Sequence, residues 1–391
     1  MALPSTDIDL FSAESVRNAR AVDDAIREMA PVVYLERENI AMLGRHEHVA
    51  KGLVDWKAFS STSRPWHDPN SVRPEILLTD DPPRHTRVRA VIGRALSPKA
   101  MKQMEDAFSR EAEILVDDLM TRAGQTVDAV ADITARYVHK VLPDLMGLPQ
   151  EGREAMTPFG NAVWATMGPA NELFDAAMAQ AGDSFAWVDK ACSRESIRPD
   201  SLGGEMYAAA DRGEISEQDA KLLTLTILSA GADTTVITMA NALNAFAQFP
   251  EQYQALRADP SLLRNAFDEA LRWDSPSRMA GRIAKTDVQI DDYVIPEGTR
   301  CGLMFSAANR DPRKWDNPER YDIRRDLRGQ VGWGQGIHMC VGKALAQAEA
   351  DALLGAIVRR VGRIEPAGEP EPWMTTIGHG PIKVPIRIVE A

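Results

Sequence analysis

Residues 217–249 read as one uninterrupted helix, and no other feature restricts the fold so strongly. Ser216-Glu217-Gln218-Asp219 has the form of a capping box, with a hydroxyl at the N-cap and an acid three residues on. Helical pattern then continues to about Phe249, where Pro250 stops it. At about 1.5 Å per residue this rod is roughly 45–50 Å long, enough to cross the whole molecule. Most of residues 98–250 and 340–361 also reads as amphipathic helix. Two hairpins interrupt the pattern. One joins Val32-Val33-Tyr34-Leu35 to Ile40-Ala41-Met42-Leu43. The other joins Val288-Gln289-Ile290 to Tyr293-Val294-Ile295 through an Asp291-Asp292 turn. The expected body is mainly α, with small β-sheets near the start and after residue 285. Pro and Gly are scattered and no repeat or linker stands out, so residues 1–391 are read as a single domain.

The middle of the rod carries its weak spot, Ala230-Gly231-Ala232-Asp233-Thr234-Thr235. Gly costs about 1 kcal/mol there relative to Ala. A Thr hydroxyl can bond the carbonyl four residues back and bend the helix, which for Thr234 means Ala230.

A second feature carries chemistry. Cys340 lies in Trp333-Gly334-Gln335-Gly336-Ile337-His338-Met339-Cys340-Val341-Gly342, and from Val341 the pattern turns helical. Glycines at 334, 336 and 342 suit a tight, irregular loop and close backbone approach to a flat cofactor. A helix start offers free N–H groups and the positive end of the dipole to an ionised sulfur.

This loop resembles the cysteine signature of the cytochrome P450 haem-thiolate monooxygenases: aromatic, two residues, Gly, one residue, His or Arg, one residue, Cys, one residue, Gly. The departure is Trp333, where the family usually has Phe. Its indole N–H is an extra donor, and if it reached the sulfur it would draw charge from the thiolate and tune the iron potential. The resemblance covers nearly the whole chain. It implies a single triangular, mainly α fold, with haem b held between the long central helix and the helix that follows the cysteine loop. Cys340 becomes the axial ligand of the haem iron. Asp233 and Thr234 match the acid–alcohol pair of the family's oxygen-binding groove and are the implied catalytic residues, passing protons during reduction of O2.

Two buried propionates need basic partners. Asp81-Pro82-Pro83-Arg84-His85-Thr86-Arg87-Val88-Arg89 places His85 and Arg89 at i, i+4 on one helix face. The family binds propionate with the His and the last Arg of this stretch. Arg282 and His338 resemble two further propionate ligands, whereas Arg84 and Arg87 read as surface residues. Glu269-Ala270-Leu271-Arg272 is the family's Glu-x-x-Arg pair, a structural support for the cysteine loop, completed by Arg320 or Arg325.

Charge and composition set outer limits. The net charge of −12 argues against general nucleic-acid binding. Cys192, Cys301 and Cys340 are widely spaced and odd in number, which fits a reducing cytosol. The N-terminus lacks a secretory pattern, and no run of eighteen apolar residues predicts a membrane span. The expectation is a cytoplasmic enzyme of the soluble bacterial type, without membrane or nucleic-acid partners. With no flavin or nicotinamide segment, electrons would come from a separate ferredoxin and its NAD(P)H-dependent reductase.

Several stretches resemble a narrower group that oxidises para-substituted benzoates, often by removing an O-methyl group. Leu145-Met146-Gly147-Leu148 and Gly168-Pro169-Ala170-Asn171-Glu172-Leu173 are among them. Ser229 and Ala230 precede the groove, and Met279-Ala280-Gly281 is small where that group tends to carry bulky aromatics. The five are the expected substrate-pocket residues. A loop from Ser60 to Ile76 should close over the substrate and offers Arg64, Trp66 and Arg73 to an aromatic acid or phenol. The implied reaction is O-demethylation or hydroxylation of a small methoxylated or alkylated aromatic acid or phenol. The rivals are a natural-product tailoring oxidase, a peroxide-driven peroxygenase, which often lacks the acid–alcohol pair, and a non-catalytic haem sensor.

Overall fold

The capping box forms as read. In the computed structural model, which describes residues 2–62 and 76–390, Ser216 Oγ accepts from Asp219 N and the Asp219 carboxylate accepts from Ser216 N. The central helix runs Glu217–Gln248, and Phe249 ends it before Pro250 opens the next helix. Its side chains are buried on most faces, as a helix wrapped by other helices requires. It is the one described helix long and apolar enough to cross a membrane, and its apolar stretch lies mostly in the protein core.

Around it pack the helices Ala135–Met146, Met156–Ala165, Leu202–Asp211, Leu263–Trp273 and Lys343–Arg360. The helical stretch 98–250 is less regular than its sequence pattern. Residues Thr126–Asp128 form a strand, and Ala129–Thr134 a π-helical turn. That strand pairs with Pro385–Glu390, which pairs with Val361–Pro366, so a partner from the far end of the chain overrides the local pattern.

Both hairpins are present, as Val33–Leu35 with Ile40–Leu43 and as Val288–Ile290 with Tyr293–Ile295. The first belongs to a six-stranded sheet ordered Ser5–Thr6, Val33–Leu35, Ile40–Leu43, Arg300–Met304, Met279–Ala284, Phe59–Ser60. The later β region therefore begins at Met279, before the expected residue 285. Gly281 pairs with Gly302 and Ala280 with Leu303, which fixes the strand that borders the active-site cavity.

Candidate active site

The cysteine loop is shaped by two left-handed glycines, Gly334 (φ 67°) and Gly336 (φ 64°). A Cβ on Gly336 would lie 2.8 Å from the Leu53 carbonyl oxygen, so the loop presses directly on the backbone of the helix His46–Val54. Cys340 N donates to Trp333 O at 2.7 Å and closes the loop. The helix Lys343–Arg360 begins three residues later, with Gly342 at its N-cap. Burial pushes the Cys340 thiol up. The backbone N–H groups of Gly342 and Lys343 and the charges of Arg89 and Lys343 act the other way and favour the thiolate.

Cys340 lines a cavity of about 370 Å³ together with Ala230, Gly231 and Thr234 of the central helix and Leu345 and Ala346 of the following helix. On one side of it lie Arg89, Arg282 and His338. The His85 ring packs edge-on to His338 with centroids 4.6 Å apart. Nε2 of His85 and Nε2 of His338 are buried without hydrogen-bond partners. Arg282 Nη1 donates only to its neighbour's carbonyl, Gly281 O, at 2.8 Å. Asp81 bears on Arg282, and Asp80 and Asp81 on His85; Asp81 is engaged by Ser60 and Ser61, and Asp80 by Arg84 and the Leu77 N–H.

Burial lowers Arg282 to about 10 and His338 to about 3, the latter helped by the charges of Arg282, His85 and Arg89. Arg89 and His85 are also shifted down, mainly by burial. Crowded, buried basic groups without enough acid are costly unless an anion joins them. The two carboxylates of a haem fit that deficit, and the sulfur lies in the same cavity.

At the weak spot of the central helix, Thr234 Oγ1 donates to Ala230 O at 2.8 Å, as expected. Thr238 Oγ1 repeats the pattern onto Thr234 O at 2.7 Å. Asp233 points away from the cavity lining, and its Oδ2 is buried without a partner. Burial raises this carboxyl to about 7. Ser229, Ala230, Met279, Ala280 and Gly281 all line the cavity, although the Ser229 hydroxyl is turned to Thr226 O at 3.3 Å. Arg64, Trp66 and Arg73 lie outside the described residues.

The sequence profile of the family described as "Cytochrome P450" matches residues 27–146 and 188–380. The chain belongs to the cytochrome P450 family. It is 39% identical to cytochrome P450 CYP199A2 of Rhodopseudomonas palustris, over 100% of this chain and 95% of that protein. It is 31% identical to cytochrome P450 107B1 of Saccharopolyspora erythraea, over 86% of this chain and 82% of that one. Among solved structures, cytochrome P450 CYP109Q5 from Chondromyces apiculatus superposes with a TM-score of 0.82 at 29% identity, covering 98% of this chain and 99% of that one. The epothilone D-bound P450epoK gives 0.85 at 23% identity over 99% and 100% of the two chains, a likeness of fold. Membership brings haem b, thiolate-ligated iron and monooxygenase chemistry.

Within the P450 frame, two readings of the sequence need revision and one open choice is closed. The Trp333 indole does not turn to the sulfur. Its Nε1 donates to Asp268 Oδ1 at 3.1 Å, Gln347 Nε2 reaches both oxygens of the same carboxylate, and Lys343 sits 5.6 Å from the Trp333 ring centre. A Trp333→Phe enzyme should therefore lose about 1–3 kcal/mol of stability, because a buried acceptor loses a donor. Its reduction potential should barely move. Thermal unfolding and a spectroelectrochemical titration would check both, and a large potential shift would restore the indole to the sulfur.

Arg84 is not a free surface charge, since it donates to Asp80 Oδ1 at 2.6 Å and to Asp219 Oδ1 at 2.8 Å. The Glu269–Arg272 pair is completed by Arg325, whose Nε donates to Glu269 Oε1 at 3.1 Å, whereas Arg320 contributes its carbonyl to Arg272.

Sequence reading also missed Trp164, Met167, Phe305 and Ile377, which line the cavity. None lies in a motif. Ile377 is brought in by pairing of its loop with residues 277 and 278, a contact across a hundred residues that no local pattern announces.

Proposed function

We propose that this P450, as one domain over residues 1–391, inserts one oxygen atom of O2 into a small aromatic substrate. The reaction is O-demethylation or hydroxylation of a methoxylated or alkylated ring. In this reading Cys340 ligates the iron, and His85, Arg89, Arg282 and His338 hold the propionates. Asp233 and Thr234 handle protons, and Ser229, Ala230, Met279, Ala280 and Gly281 bound the substrate. The observation that carries it is one cavity shared by the Cys340 sulfur, a basic cluster short of anions, and Thr234.

Bound haem supplies oxygen activation at an iron that the thiolate makes electron-rich. The protein supplies the rest. The Thr234 hydroxyl gives its proton to Ala230 O and so offers lone pairs to the cavity, where it can accept and pass on a proton. A carboxyl raised to about 7 both holds and releases a proton at neutral pH, which suits Asp233 to resupply Thr234. Ile227, Trp164, Met279 and Phe305 keep the chamber apolar. Electrons would arrive from a separate ferredoxin and its NAD(P)H-dependent reductase, in the cytoplasm.

Among the described residues the lining offers hydroxyls that suit a phenol or aryl ether, while Arg64 and Arg73, the sequence's candidate partners for an acid, lie outside them. Apart from Cys340, Arg89, Arg282 and His338, no ionisable side chain lines the cavity among the described residues. Its other polar groups include the hydroxyls of Ser61, Thr79, Thr226 and Ser277. An aromatic acid would need a further cation, for which Arg64 and Arg73 are the sequence's candidates. Soret-band titration with aromatic acids, guaiacol-like phenols and syringol-like phenols tests this. Phenols should shift the band at lower concentrations than acids. In a Gly281→Phe variant the doubly ortho-substituted phenols should weaken tenfold or more, because overpacking costs about 1–3 kcal/mol. Tight binding of acids alone, or an unchanged panel in the variant, would sink the assignment.

A further inference from the structure

Beside the oxygen groove two buried polar atoms lack hydrogen-bond partners, Asp233 Oδ2 and Trp164 Nε1. They belong to neighbouring helices, Glu217–Gln248 and Met156–Ala165. The contact is made possible by Gly160, one turn before Trp164. A Cβ there would lie 2.3 Å from Asp233 Oδ2, so the carboxyl rests on bare backbone. Gly160 and Trp164, at i and i+4, share one helix face.

Among the described residues, no ionised side chain on an element packed against Asp233 acts on the carboxyl. The Trp164 indole is the one group that opposes the effect of burial. The indole is also fixed from behind. Its ring meets Trp373 edge-on with centroids 5.6 Å apart, and Trp373 Nε1 donates to Asn161 Oδ1 at 3.0 Å. Trp164 meanwhile lines the substrate cavity along with Thr234 and Met279.

We propose that Trp164 is the positioning residue for Asp233: its indole N–H, directly or through one ordered water, orients the carboxyl and favours its ionised form. A buried donor and a buried acceptor lying beside each other are the setting in which a bridging water is retained. The same ring walls the substrate cavity, so the group that touches the substrate also steadies the acid that supplies protons. The proposal rests on the reading of Asp233 as that acid.

The test is an infrared titration of the haem-loaded protein, following the protonated-carboxyl band that Asp233→Asn removes. Trp164→Phe keeps a ring at the wall and deletes the N–H. It should move the midpoint upward by about one pH unit, because a hydrogen bond to the charged form is lost. Gly160→Ala, which displaces the carboxyl from the indole, should move it the same way. A midpoint unmoved in either variant, with the thiolate-type carbon monoxide spectrum intact, overturns the proposal and leaves the assigned function standing. A shifted midpoint combined with full turnover of Asp233→Asn supports the contact and removes Asp233 from proton supply instead.

Discussion

Cys340→Ser protein, reduced under carbon monoxide, should lose the thiolate-type spectrum entirely, and turnover with it. A serine hydroxyl stays protonated at any pH the fold survives. The Gly342 and Lys343 N–H groups, which help offset burial at the sulfur, would then face a neutral oxygen. The basic cluster formed by His85, Arg89, Arg282 and His338 would be untouched, so haem should still bind. That combination, haem retained with the thiolate signature absent, separates loss of a ligand from loss of the fold. Oxidation that persists in the serine variant would remove the foundation of the functional reading.

The largest effect on stability is expected at Glu269. Its carboxylate is fully buried and accepts from Arg272 Nε at 2.6 Å, Arg272 Nη2 at 2.9 Å, Arg325 Nε at 3.1 Å and Asp322 N at 3.0 Å. Glu269→Gln leaves two guanidinium groups facing a neutral amide, and Arg272 is as buried as its partner. Removing one side of a buried pair typically costs about 3–5 kcal/mol, a large part of the ~5–15 kcal/mol that holds a domain together. The melting temperature should fall by on the order of 4–6 °C.

The damage should reach the cysteine loop. Arg272 Nη1 donates to Asn309 O, and Asn309 Oδ1 accepts from Val331 N at the loop's root. Arg325→Ala should cost less, since Arg325 is partly exposed. Differential scanning calorimetry of the two variants would decide, and melting within about 1 °C of wild type would show that the cluster contributes little.

What was legible in the chain was local. The capping box, the Thr234 back-bond, the two hairpins and the glycine-shaped loop each follow from residues within a few positions of one another, and each is found. His85, Arg89, Arg282 and His338 could be grouped only through resemblance, and the structure clusters them around His338. What was not legible depends on contacts between distant segments. The six-stranded sheet pairs strands about 260 residues apart, Ile40 with Arg300, and its order has no trace in periodicity. Trp333 looked free to serve the sulfur because Asp268, 65 residues earlier, could not be seen beside it. Arg320 and Arg325 were equal candidates until the backbone placed one side chain and one carbonyl at Arg272. Gly160 gave no signal, because its importance lies in the atom it lacks.

Arg84 has one more consequence. A single guanidinium rivets Asp80, ahead of the helix bearing His85 and Arg89, to Asp219 in the first turn of the central helix. The helix that carries His85 and Arg89 and the central helix that carries Thr234 therefore share a common anchor. Arg84 is about 40% exposed, so this anchor is open to ions in solution, and the rigidity of the chamber becomes a quantity that salt can adjust from outside.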